Sequence, residues 1–262
     1  MDSELKDALL KTNLPKTDTL LIETKLNNLF YTDDENREDR VMLHGSGLVA
    51  SDSEWCYRQA ILSFYYKGSE PKIPIGLKRI FLNGWYVHEK WQKMFMQAGI
   101  AVGVEQRGES EEWGLLYTPD AIIKLGTKLY VVEIKSVNTM QFNNMISHPH
   151  GEKQLQLYMH MSGIPHGFVL CEDKNNQNIK IFPYEYDSEK ARPYVERMVK
   201  VKALRKKFEE EGTLPMRCCD KESCKRSLGC AYHDACWNIK REKIKVGSFT
   251  GSGATTATVK QK

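Results

Sequence analysis

The 262-residue sequence has no apolar run long enough to span a membrane and no secretory signal pattern at its start. It has no internal repeat, which sets aside solenoid and propeller architectures. Charge of one sign is also scarce. A net charge of +4 is too small for composition alone to mark a nucleic-acid-binding protein. The seven cysteines are an odd number, and with no export signal this argues against a disulfide scaffold and for a reducing, cytoplasmic setting. A hydrophobic content of 41% over this length is ordinary for a globular chain and suffices for one sizeable α/β core.

The most informative segment is Thr118-Pro119-Asp120, followed thirteen residues after the aspartate by Glu133-Ile134-Lys135. Two β-rich runs, Ala121 to Leu125 and Lys128 to Val132, flank Gly126-Thr127, whose leading glycine suits a two-residue type II′ turn. If Leu125 faces Lys128, Asp120 faces Glu133. Cross-strand partners have Cβ atoms ~4.5–5.5 Å apart, so this register sets two carboxylates on one face, and side-chain alternation adds Lys135 to it. Two such acids repel and raise one another's pKa unless a divalent cation lies between them, and their hard oxygens favour Mg²⁺ or Mn²⁺. Lys135 can then orient a water and stabilise charge on a phosphate, the chemistry of a metal-dependent nuclease. Taken alone, the spacing also fits a surface hairpin with scattered charges.

Downstream, Glu152 to Met161 reads as a helix with Gln154 and Tyr158 four residues apart on one face, able to point together at the hairpin. An amide and a phenol offer neutral hydrogen bonds to a phosphate, although this spacing is equally that of an ordinary amphipathic helix. Upstream, Gly84 to Trp91 begins an aromatic-rich helix in which His88 is a candidate ligand or a packed side chain.

The ordered set Gly84-x-x-x-His88, Asp120, Glu133-Ile134-Lys135 and Gln154-x-x-x-Tyr158 resembles the PD-(D/E)XK nuclease superfamily in its RecB-like branch, over about residues 50 to 240. The resemblance implies a restriction-endonuclease-like core, a mixed central sheet flanked by helices. It also implies that His88, Asp120, Glu133 and the Ile134 carbonyl hold the metal, that Lys135 is catalytic, and that Gln154 and Tyr158 assist at the scissile phosphate. Glu105, on an expected strand from Ile100 to Gln106, falls where relatives often carry an acid, and equally fits a surface glutamate.

The cysteines give a separate signal. Cys218, Cys219, Cys224, Cys230 and Cys236 fall within nineteen residues in a loop-like region. In a reducing compartment metal binding is the leading explanation, with the distant Cys56 as the natural fourth ligand. Cys171, on the expected strand Gly167 to Cys171, reads as a small buried side chain. Several RecB-like nucleases, the CRISPR-associated adaptation exonucleases among them, carry one cysteine before the core and three after it around a [4Fe-4S] cluster. This chain looks similar, with Cys230 and Cys236 matching the last pair best. The usual close Cys-x-x-Cys is absent, because Ser227 stands three before Cys230, so the remaining ligand is Cys224 or else Cys218 or Cys219. Zn²⁺ on four thiolates, or on a set including His233, is the alternative.

Residues 1–45 read as a polar arm with a helical piece near Leu20 to Phe30 and an acidic stretch Asp33-Asp34-Glu35-Asn36. Residues 46–245 read as the nuclease core with a cluster lobe made of Cys56 and 216–240. A charged helix is expected from Glu189 to Glu211. Residues 246–262 are too poor in large apolar groups to pack and are expected to be a disordered tail. Arg197, Lys200, Lys202, Arg205, Lys206 and Lys207, with Lys225, Arg226, Lys240, Arg241, Lys243 and Lys245, are candidates to meet DNA phosphates or to form solvated faces. The function expected is a metal-dependent DNA nuclease, specifically an exonuclease on single-stranded ends in recombination, repair or replication. Trp85, Tyr86 or Trp113 are candidates to stack on unpaired bases. The alternative is a non-catalytic DNA-binding or assembly subunit retaining the fold. DNA is the expected partner, a membrane is not, and protein partners are not specified.

Overall fold

In the computed structural model the described residues are 16–32, 43–66, 73–105, 108–110 and 115–238. The acidic stretch from Asp33 to Asn36, Trp113, the basic residues from Lys240 to Lys245 and the 246–262 tail lie outside them. Two compact units divide the chain, Met1–Asp39 with Lys72–Trp85, and Arg40–Pro71 with Tyr86–Lys262. The first contains helix α1, Lys16–Thr32, which covers the expected helical piece. There Arg79 donates to Asn27 Oδ1 at 2.6 Å, and Leu20, Leu21, Ile22 and Leu26 are exposed.

The second unit opens with strand β1 (Leu43–His44) and short helices α2 (Gly45–Leu48) and α3 (Tyr57–Leu62). Helix α4, Ile75–Gln97, belongs to it from Tyr86 onward. Strands β2 (Ala101–Val104), β3 (Gly108–Ser110), β4 (Leu115–Tyr117), β5 (Ala121–Leu125) and β6 (Lys128–Val137) follow. Helices α5 (Thr139–Asn144) and α6 (Pro149–Ser162) lead to β7 (His166–Asp173) and β8 (Ile179–Glu185). Helix α7 (Ser188–Glu211) and short helices α8 (Lys225–Leu228) and α9 (His233–Asn238) complete the described chain.

The main sheet has five strands in the order β2-β5-β6-β7-β8 and is mixed, because β6 and β7 run parallel while the other pairs are antiparallel. A parallel pair needs a crossover, which α5 and α6 supply. A smaller sheet has the order β1-β4-β3. Around Gly126 (φ +60°) the hairpin closes with Leu125 opposite Lys128, the expected register. Thr127 is not left-handed, as a type II′ turn requires.

Alternation along the central strands sorts the core into two layers. Val131 of β6 and Val169 and Cys171 of β7 pack with Leu155, Leu157 and Tyr158 of α6. Val132, Ile134, Phe168 and Leu170 point the other way, onto Val87 and Phe95 of α4 and onto Ala121 and Ile123 of β5. Cys171 is fully buried, in keeping with a packing role. Because Glu133 and Lys135 share the parity of Val131, they lie on the α6 face of the sheet.

Helix α6 starts where the His148 imidazole accepts the Gly151 amide at 2.9 Å, with Pro149 in the first turn, where its missing N–H costs nothing. The helix sits close to the sheet at Gly167, where a Cβ would stand 2.8 Å from the Val131 carbonyl and 2.9 Å from Leu155 Cδ1. Arg197 ties α7 to the segment before α3 by donating to the Leu48 and Ala50 carbonyls and to Asp52. Replacing Gly167 by alanine must therefore push α6 or β7 outward. We expect Gly167→Ala to lower stability by roughly 1–3 kcal/mol, read from the midpoint of urea unfolding.

Candidate active site

The hairpin register carries Asp120, one residue before β5, opposite Glu133. Asp120 Oδ2 accepts a 2.6 Å hydrogen bond from the Ile134 amide, which pins the carboxylate against β6. Glu133 Oε1 lies 2.5 Å from Lys135 Nζ, and the same ammonium donates to Gln154 Oε1 at 2.7 Å. From α4, His88 Nδ1 stands 3.1 Å from Asp120 Oδ1. Tyr158 is buried one turn beyond Gln154. The structure thus gathers His88, Asp120, Glu133, Ile134, Lys135, Gln154 and Tyr158 at one place, from one helix, one hairpin and a second helix.

Burial governs the electrostatics. Glu133 is 3% exposed, and its pKa is pushed up to about 7, first by desolvation and then by the charge of Asp120, with Lys135 opposing both. For His88 burial lowers the pKa, but the bond to Asp120 and the charges of Asp120 and Glu133 outweigh it, so the net shift is upward. Desolvation and the same two acids raise the Tyr158 pKa, which keeps its phenol neutral.

Among the described residues, no group of three or more Cys, His, Asp or Glu side chains is spaced as a finished metal-ligand set. In the acid pair each carboxylate is turned instead toward a protein partner, the Ile134 amide or Lys135. The donor chemistry nevertheless fits a hard divalent cation. Two carboxylates and an imidazole converge where burial, and then the charge of Asp120, push the Glu133 pKa up to about 7.

Four supporting contacts were not legible in the sequence. Gln92 Nε2 donates to the Asp120 carbonyl at 2.9 Å. Lys90 Nζ and Trp91 Nε1 each reach the buried Glu172 carboxylate of β7 at 2.6 Å, fixing α4 over the sheet. His148 caps α6, the helix that carries Gln154. The four-residue step from His88 to Gln92 was the available signal, since it sets both on one helix face. Glu105 lies next to this shell, with left-handed φ (44°) and its carboxylate 3.3 Å from Gln92 Nε2.

The cysteine lobe docks beside α3. Arg58 donates to the Pro215 and Cys236 carbonyls, and Arg226 to the Trp55 carbonyl. Cys56 is thereby brought to the C-terminal cysteines, and with Cys218, Cys219, Cys230 and Cys236 it lines one cavity. Cys224 does not line that cavity. Its sulfur accepts the Ser227 amide at the start of α8, and that bond lowers its pKa. Desolvation, then contact with Cys56, raises the Cys218 thiol to about 12. All seven cysteines are free thiols.

The basic run on α7 differs from the phosphate-facing surface considered in the sequence. Arg197 is buried, Arg205 pairs with Glu209, and Lys206 and Lys207 lie within 4 Å of Glu210 and Glu211, because acids fall one helical turn after the bases. Lys200 lies over the Tyr57 ring. Among the described residues, no helix is long and apolar enough to cross a membrane.

No family model matches the chain, and no curated protein is significantly similar to it. Among solved structures it is similar to the protein SSO0001, with 16% identity over 84% of this chain and 97% of that one, and a TM-score of 0.47. It is also similar to an alkaline exonuclease, LHK-Exo, from Laribacter hongkongensis, with 15% identity over 66% of this chain and 94% of that one, and a TM-score of 0.48. The complex of LHK-Exo with dAMP gives 14% identity over 66% and 93%, and a TM-score of 0.47. At such identities the chemistry of this chain has to be read from its own residues.

The folded-state pKa of Glu133 lies above its ordinary 4.5, so the stability linked to this group is complete below 4.5 and is lost as pH rises through about 7. In EDTA the wild type should lose roughly 1–3 kcal/mol across that window. Glu133→Gln should lack this loss and be the more stable protein at pH 8, as read by denaturant unfolding at each pH.

Proposed function

We propose that the chain is a divalent-metal-dependent deoxyribonuclease, specifically an exonuclease that acts on single-stranded DNA ends in recombination, repair or replication. The observation that carries this reading is a buried glutamate, Glu133, opposite the half-buried Asp120 and sharing its face with a lysine held by Gln154. A purely structural ion pair gains nothing from a second carboxylate beside it, and a surface that merely grips phosphates is weakened by two acids. Mg²⁺ or Mn²⁺, held by His88, Asp120, Glu133 and the Ile134 carbonyl, supplies Lewis acidity and a lowered water pKa when bound. Lys135 donates to a non-bridging phosphate oxygen and stabilises the charge building there. Gln154 fixes the lysine and, with the neutral Tyr158 phenol, offers hydrogen bonds without adding charge. Tyr86, exposed on α4, is the candidate in this reading for stacking on an unpaired base.

End-labelled single-stranded, double-stranded and circular DNA, incubated with Mg²⁺, Mn²⁺ or EDTA, tests the reading. Cleavage of linear strands, circles spared, should require metal. Glu133→Ala and Lys135→Ala should each lower the rate roughly 10²- to 10³-fold or more. Undiminished cleavage by Glu133→Ala would sink the site assignment, and cut circles would make the enzyme an endonuclease.

We also propose that the cysteine lobe holds a structural metal group, a [4Fe-4S] cluster or alternatively Zn²⁺, bound by Cys56, Cys230, Cys236 and one of Cys224, Cys218 or Cys219. The gathering of Cys56 against the C-terminal thiols supports this. Such a group closes a loop of well over a hundred residues, and this stabilises the fold by removing unfolded-chain entropy. Cys56→Ser should lose the iron or zinc measured by elemental analysis of anaerobically purified protein. Unchanged metal content would remove Cys56 from the ligand set.

A further inference from the structure

Helix α6 carries a row that continues past the candidate site. Tyr158 and Gln154 are buried at 2% and 6%, and one turn nearer the helix start His150 is exposed. Steps of four residues along a helix keep side chains on one face, so the row climbs from the floor of the site at Tyr158, through the lysine-bonded Gln154, to solvent at His150. The exposed His150 is thus the solvent end of that row.

The histidine rings of the chain separate cleanly by what they do. His44 bonds Ser46, His88 pairs with Asp120, and His148 accepts the Gly151 amide. His160 bonds Tyr186, His166 bonds Glu185, and His233 bonds Asp234. Among the described residues His150 is the histidine whose ring takes no hydrogen-bond or ion-pair partner. Its neighbours are positive. Burial lowers the pKa of the ring first, the charges of Lys135 and Lys153 lower it further, and that of Glu54 opposes them. An unpartnered ring donor on the exposed end of this row, within the influence of the Lys135 and Lys153 charges, suits an anionic oxygen.

Resting on the nuclease reading, we propose that His150 is a substrate contact, donating a hydrogen bond from its imidazole to a non-bridging oxygen of the backbone phosphate next to the scissile one. The contact is the same in substrate and transition state, so it acts on binding and not on the chemical step.

The test compares wild type, His150→Ala, His150→Gln and, as a control on the same helix, His160→Ala, all as full-length protein. Two readouts are taken, steady-state cleavage of a linear oligonucleotide and fluorescence-anisotropy binding of the same labelled oligonucleotide with Ca²⁺ in place of Mg²⁺. His150→Ala should raise KM and Kd about tenfold, the effect of one hydrogen bond to a charged group, with kcat within about twofold. Glutamine, which keeps an N–H donor, should recover most of the loss, and His160→Ala should behave as wild type. Unchanged KM and Kd in His150→Ala would overturn the proposal, as would a fall in kcat at constant KM. If the wild type binds but does not cut, the nuclease reading falls while the Kd comparison still decides the His150 contact. If it neither binds nor cuts, both fall.

Discussion

The pairing of β5 with β6 is the constraint on which the rest of the site depends. A two-residue turn at Gly126-Thr127 leaves one register, and side-chain alternation converts that register into a chemical arrangement. A slip of one residue would send Glu133 and Lys135 to the α4 layer and bring Val132 and Ile134 to the α6 face. The hydrophobic cost of that exchange holds the register in place. The hydrogen bond from the Ile134 amide to Asp120 then fixes the second acid against the first.

A buried glutamate facing a second, half-buried acid works against folding, and the surrounding contacts offset it. Lys135 reaches Glu133, Gln154 holds Lys135, and His88 reaches Asp120. These contacts hold Glu133 in a buried setting and Asp120 in a half-buried one, a pairing of carboxylates whose mutual repulsion the neighbouring cationic and amide groups offset. Helix α4 is held over the sheet by a separate set of polar bonds, Lys90 and Trp91 to Glu172 and Gln92 to the Asp120 carbonyl. His88 therefore depends on a buried glutamate two strands away from Asp120 in the sheet. Site and scaffold share residues here, which is why residues without a chemical role are fixed so tightly.

The cysteine lobe follows another logic. Its described residues form two short helices, α8 and α9, and no strand, and much of its attachment runs through arginines. Arg58 donates to the Cys236 carbonyl and Arg226 to that of Trp55, while Arg217 also donates to the Cys236 carbonyl from within the lobe. Cys56, Cys218, Cys219, Cys230 and Cys236 line one cavity there.

Local chemistry made much of this legible in the linear chain. The hairpin, its register and the coincidence of Asp120, Glu133 and Lys135 follow from a turn residue and a period of two. The helical facing of Gln154 and Tyr158 follows from a period of 3.6, and the burial of Cys171 from its apolar strand. Contacts between elements distant in sequence were beyond it. Local periodicity says which face a side chain takes but not which element will cover that face. Hence Glu172 as the anchor of α4, Arg197 as a buried tie and not a phosphate contact, and Cys218 and Cys219 at the thiol cavity were decided only when the chain folded.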